Sequence, residues 1–150
     1  MDTVAVLMKE PQRLALGRLE LAEPGEADVV VDVAWSGIST GTERLLWSGR
    51  MPPFPGMGYP LVPGYESVGR IAAAGPASGR SVGETVFVPG STGFRNARGL
   101  FGGAAARLVA PGPRVVPIDA GLGDRGVLIA LAATAHHAFP ADGPQPDLIV

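Results

Sequence analysis

Apolar and polar positions change rhythm along this chain of 150 residues. Thr3–Lys9 alternates and predicts a strand, with Arg13–Leu19 pairing back onto it through a turn at Glu10–Gln12. Asp28–Trp35, DVVVDVAW, is rich in β-branched residues and predicts the clearest strand. Gly41–Ser48 predicts a short helix. Met51–Pro63, MPPFPGMGYPLVP, holds too many prolines for a helix or a central strand and predicts a loop. Tyr65–Ala74, Glu84–Val88 and Ala106–Val109 predict further strands, as does Arg114–Ile118, interrupted by Pro117. The period then lengthens. Val127, Leu128, Leu131, Ala135 and Ala138 recur at helical spacing and predict one long helix over Gly121–Phe139. After the turn ADGPQP, the closing DLIV reads as the start of a buried parallel strand. The pattern predicts a mostly β unit over 1–118 and the opening of an α/β layer over 119–150.

Composition sharpens this picture in three places. The 22 glycines and 15 prolines punctuate apolar runs instead of replacing them, which argues for short strands and tight turns and against disorder. Charged residues are 17%, against about 25% in an ordinary soluble domain, so neutral or apolar surface is left for a partner domain or a greasy ligand. A net charge of −2 without a basic run argues against a nucleic-acid or polybasic membrane surface. The absence of cysteine excludes disulfides, thiolate metal sites and cysteine nucleophiles. Early charges in MDTVAVLMKEPQR do not fit a signal peptide, and the longest apolar run, Val127–Ala135, is too short to span a bilayer. The expectation is a cytoplasmic protein, peripheral to a membrane at most.

Three segments carry a family resemblance. Ser36-Gly37-Ile38 follows a strand, Gly64-Tyr65-Glu66 follows the proline loop, and Gly83-Glu84-Thr85-Val86 follows the next strand. In this order they resemble the catalytic half of medium-chain dehydrogenases, and GGAAARLVAPGPRVVPIDAGL is similar to that family's return strands. The resemblance covers nearly the whole chain and implies a GroES-like, partly open β-barrel joined to a Rossmann domain. Within the family, STGTERLLWSGRMPPFPGMGYPLVPGYES and LALAATAHHA are similar to members that oxidise a tetrapyrrole alcohol, with NAD as hydride acceptor. A homo-oligomer is among the assemblies the resemblance allows. The family's Gly-x-Gly-x-x-Gly nucleotide loop is expected directly after DLIV, so these 150 residues are expected to bind NAD poorly by themselves. Gly121-Leu122-Gly123-Asp124-Arg125-Gly126 has the spacing but lacks the context, and reads as a turn and helix start with Asp124 in the first turn.

The resemblance also implies a member without zinc. Ser39–Thr40 falls where zinc-dependent members carry a cysteine ligand, and Tyr65 where they carry a histidine. Only Glu66 keeps a coordinating group, whereas a catalytic zinc takes about three protein ligands. Ser91–Arg98, STGFRNAR, falls where the family's four-cysteine structural site lies.

Alcohol oxidation then needs a protein group to take the proton. His137 has the best intrinsic pKa for neutral pH and lies three residues after Thr134, which the resemblance places towards the nicotinamide; the plain alternative is that both pack between domains. Tyr65, placed in the cleft by resemblance, suits hydrogen-bond donation better than base catalysis. Ser39, Thr40 and Thr42 fall where the family runs a hydroxyl relay, although such residues also cap helices; Thr42 is the one taken as a site residue. Glu43 and Arg44 read as first-turn charges and Glu66 as structural. Met51, Phe54, Met57 and Tyr59, on a proline-stiffened loop, suit the flat face of a macrocycle, or else tuck under the loop as core. Trp35 and Trp47 read as core or cleft wall. Two rival readings stay open: a zinc-free quinone or enoyl reductase using NADPH, and a non-enzymatic barrel that binds pigment or protein.

Overall fold

A computed structural model of the chain describes residues 1–99, 101–138 and 143. The predicted hairpin forms as β1 (Asp2–Glu10) and β2 (Arg13–Glu20), a two-stranded antiparallel sheet with a register shift between Met8 and Glu10. Gln12 takes the left-handed conformation that this tight reversal needs.

The remaining strands build a five-stranded antiparallel sheet in the order β6-β3-β4-β5-β7. They are β3 (Asp28–Ser36), β4 (Ser67–Ala74), β5 (Thr85–Val88), β6 (Arg107–Pro111) and β7 (Val116–Pro117). β3 lies inside the sheet, between β6 and β4, and its Val29, Val30 and Val31 are all buried. Two register shifts against β4, at Val30/Val31 and Val33/Trp35, curve the strand. The last short strand shrinks to Val116–Pro117, because a 3-10 turn over Gly112–Arg114 replaces its start.

The hairpin closes over the larger sheet through backbone bonds from Val6 N to Ala104 O (2.9 Å), Met8 N to Leu61 O (2.9 Å) and Ala106 N to Val4 O (2.8 Å). The result is the expected mostly β, partly open barrel. One core holds Leu21, Val29, Val31, Ile71, Val86 and Leu108, all essentially inaccessible. Burying each such side chain stabilises the fold by roughly 1.5–3 kcal/mol. A second, smaller core of Met8, Leu46 and Leu61 lies under the proline-rich loop.

Two expectations are corrected. The predicted long helix over Gly121–Phe139 is broken: a 3-10 stretch, Ala120–Leu128, precedes a short α2 (Ile129–His136). Gly123, at φ 54° and ψ −129°, interrupts it with a conformation open to glycine. The first-turn carboxylate is not Asp124: Asp119 caps the stretch, accepting from Gly121 N at 2.7 Å. Trp35 and Trp47, read as core or cleft wall, are both exposed and each lines a surface cavity. The expected DLIV strand and most of the turn before it lie outside the described residues.

Candidate functional site

The site grows from the segment between β3 and α1 (Thr42–Ser48). Gly37 N donates to Glu66 O at 2.7 Å, which ties the end of β3 to the residue before β4. The chain then turns through Ile38–Gly41 into α1. Among the described residues no hydroxyl of Ser39, Thr40 or Thr42 caps this helix, whose N-cap is Gly41. Glu43 does the work instead: its carboxylate reaches back to accept from Ser39 N, while Glu43 N donates to Ser39 O at 3.1 Å.

Glu43 is the first-turn charge the sequence predicts, and that reach buries it, leaving it 6% exposed. Glu66 is buried as well, at 4%. The Gly37 backbone passes so close that a Cβ there would lie 2.5 Å from Glu66 Oε2. Glu66 Oε1 has no hydrogen-bond partner among the described residues. Burial raises the Glu43 carboxyl above its ordinary value; the Ser39 amide pulls the other way and the Glu66 charge adds to the rise. Burial raises Glu66 too. The burial of both acids did not show in the sequence, where one reads as a first-turn charge and the other as structural. The four-residue step from Ser39 to Glu43, the span of one helical turn, was the available signal.

Tyr65 is half-buried, with its ring 5.3 Å from that of Phe101 and tilted by 60°. Together with Ser91, Thr92, Arg114 and Ala130 these two rings line a cleft of about 330 Å³. Of Ala130, Thr134 and His137, which follow one another at i, i+4 and i+7, only Ala130 lines this cleft. Thr134 spends its hydroxyl on Ala130 O at 2.9 Å, and both Thr134 and His137 are exposed. His136 closes the helix and is exposed too.

The proline loop splits in two. Met51, Met57 and Tyr59 turn inward against the second core, with Phe101 beside them. Tyr59 also donates its hydroxyl to Leu46 O on α1. Phe54 stays exposed. Apolar Ile38, Leu45 and Trp47 add further exposed surface around α1. There Ile38, Thr40, Glu43, Arg44 and Trp47 line a second cavity of about 530 Å³.

Among the described residues no three His, Cys, Asp or Glu side chains gather to hold a metal ion. The Gly121–Gly126 motif lies in the 3-10 stretch, and Gly126 packs so that a Cβ would lie 2.8 Å from the Val68 side chain. It is a packing contact, not an open cradle of amides for a pyrophosphate.

The chain is 54% identical over its whole length to the 2-desacetyl-2-hydroxyethyl bacteriochlorophyllide A dehydrogenase of Rhodobacter capsulatus, covering 48% of that protein. It is 52% identical over its whole length to the protein of that name from Cereibacter sphaeroides, covering 49% of it. The chain thus spans about half the length of these curated relatives. Among solved structures it resembles a putative zinc-binding dehydrogenase of Sinorhizobium meliloti 1021 bound to NADP, with 26% identity and a TM-score of 0.71 over 92% of this chain and 45% of that one. It also resembles an alcohol dehydrogenase of E. coli CFT073 in complex with NADH, with 25% identity and a TM-score of 0.70 over 91% of this chain and 45% of that one. The family model for the alcohol dehydrogenase GroES-like domain matches residues 25–120. The chain belongs to the alcohol dehydrogenase GroES-like domain family.

Proposed function

We propose that this chain supplies the substrate side of an oxidoreductase that converts the hydroxyethyl group of a bacteriochlorophyllide to an acetyl group. The observation that carries the reading is identity above half, along the entire chain, to a curated dehydrogenase of that pigment. The cleft supports it: two aromatic rings, Tyr65 and Phe101, make an apolar wall, and Arg114 adds a cation at its rim. In this reading residues 1–118 form the substrate unit and 119–150 begin the nucleotide-binding unit.

A nicotinamide dinucleotide, NAD in preference to NADP, takes the hydride when bound. Tyr65 donates a hydrogen bond to the substrate oxygen, and Thr42 and His137 carry the proton away. Thr134 sits towards the cofactor. Phe54 offers its exposed ring to the macrocycle, while Met51, Met57 and Tyr59 set the shape of the loop beneath it. The reaction runs without zinc, a reading supported by the donor set around Tyr65 and Glu66.

Incubating the complete enzyme with hydroxyethyl bacteriochlorophyllide and NAD or NADP tests this directly. Acetyl product with matching NADH, in metal-free buffer, is the expected outcome. Reduction of a conjugated double bond with NADPH would replace the reading with a reductase. Pigment binding without turnover would replace it with a carrier module.

A further inference from the structure

The cleft walled by Tyr65 and Phe101 carries a single charge. Of the described side chains that line it, Arg114 alone is charged, and the rest are apolar or offer only a hydroxyl. Arg114 ends the 3-10 turn Gly112–Arg114, whose backbone is firmly held. Gly112 is buried, its amide donates to Ala27 O at 2.8 Å, and a Cβ on it would lie 2.1 Å from Ser78 O. Pro113 fixes the next φ. A second arginine spends its guanidinium on this turn: Arg80 Nε donates to Gly112 O at 3.2 Å and its Nη2 to Val115 O at 2.9 Å. One arginine pins the turn, and the other is presented by it. Arg114 is exposed, and the ion pairs of the described residues use other cations.

We propose that Arg114 selects the free acid of the pigment, pairing its guanidinium with the propionate carboxylate of the macrocycle. The proposal deepens the dehydrogenase reading above and rests on it. A chlorophyllide bears that propionate as a free acid, whereas a chlorophyll carries it as an ester without charge. The planar fork of arginine matches a carboxylate with two parallel hydrogen bonds, each strengthened by charge. A turn already fixed before binding lowers the cost of ordering the contact. The phosphates of a dinucleotide are the other anions a dehydrogenase cleft receives. The wall beside Arg114 favours the pigment, since two tilted aromatic rings suit an apolar ring system and not a sugar–phosphate chain.

The test compares hydroxyethyl bacteriochlorophyllide with its propionate methyl ester as substrates of the complete enzyme. The unsubstituted enzyme is expected to favour the free acid at least about tenfold in kcat/KM, with the difference carried by KM. Arg114→Gln should bring that ratio towards one. Arg114→Lys should restore part of it, because lysine keeps the charge and loses the fork. KM for the dinucleotide should not follow either substitution.

Equal use of acid and ester by the unsubstituted enzyme overturns the role of Arg114 and leaves the dehydrogenase reading standing, without any variant having to fold. A preference for the acid that survives Arg114→Gln overturns it too, and places the carboxylate elsewhere. A rise in KM for NAD or NADP with the ratio unchanged assigns Arg114 to a cofactor phosphate instead. Failure to turn over either form of the pigment would sink the dehydrogenase reading. Binding of acid and ester to the unsubstituted and Arg114→Gln proteins, followed by the pigment's absorbance shift, then still decides whether Arg114 reads the carboxylate.

Discussion

Gly37 lies directly beneath the carboxylate of Glu66: its amide donates to Glu66 O at 2.7 Å, and a Cβ on it would lie 2.5 Å from Oε2. The fold needs glycine here for closeness, since one methyl group would displace a buried acid.

Gly37→Ala is therefore expected to destabilise the protein by about 1–3 kcal/mol, the usual range for overpacking. Combining it with Glu66→Ala removes the clash, so the two changes should not add. Denaturant midpoints of the single and double variants check this, and simple additivity would dissociate the two residues.

Stability should also depend on pH with a definite sign. Glu43 and Glu66 sit above their ordinary value of 4.5 in the fold and return to it on unfolding. The folded state then holds more protons than the unfolded state as pH rises through 4.5, so this contribution is full below that value and is lost as pH climbs through the folded values. Glu66→Gln should flatten the decline on that side. Thermal melts of both proteins across mildly acidic to neutral pH measure it, and parallel curves would speak against burial as the cause.

Tyr59 pins the proline-rich loop to α1 through its hydroxyl and Leu46 O. Tyr59→Phe keeps the ring in the second core and removes only that bond. A loss of about 1 kcal/mol is expected, with faster amide exchange around the loop. Unchanged exchange would mean that ring packing alone holds the loop.

Tyr65→Phe, in the cleft, and His137→Ala, just after α2, are each expected to lower turnover of the complete enzyme at least about tenfold. Steady-state rates with the pigment alcohol decide it. Full activity in both would mean that neither residue handles the proton.

Strand order of appearance and the proline loop were legible in the chain, because alternation, β-branched runs and proline act over a few residues. The β1–β2 hairpin and β3 landed within a residue or two of their predicted bounds. The long helix did not. Val127 to Ala138 carries helical spacing, but Gly123 and the packing of Gly126 on Val68 impose a 3-10 path first, and neither shows in a periodicity.

The site divides the same way. Local sequence determined that the segment around Ser36–Glu66 belongs to a dehydrogenase barrel and that cysteine is absent. Which acids are buried was settled only when the turn into α1 brought Glu43 back to Ser39 N and the proline loop delivered Glu66 to Gly37. Burial depends on what the rest of the chain places against a residue, and a glutamate in a helical first turn has the same spelling whether water or the Ser39 amide lies beside it.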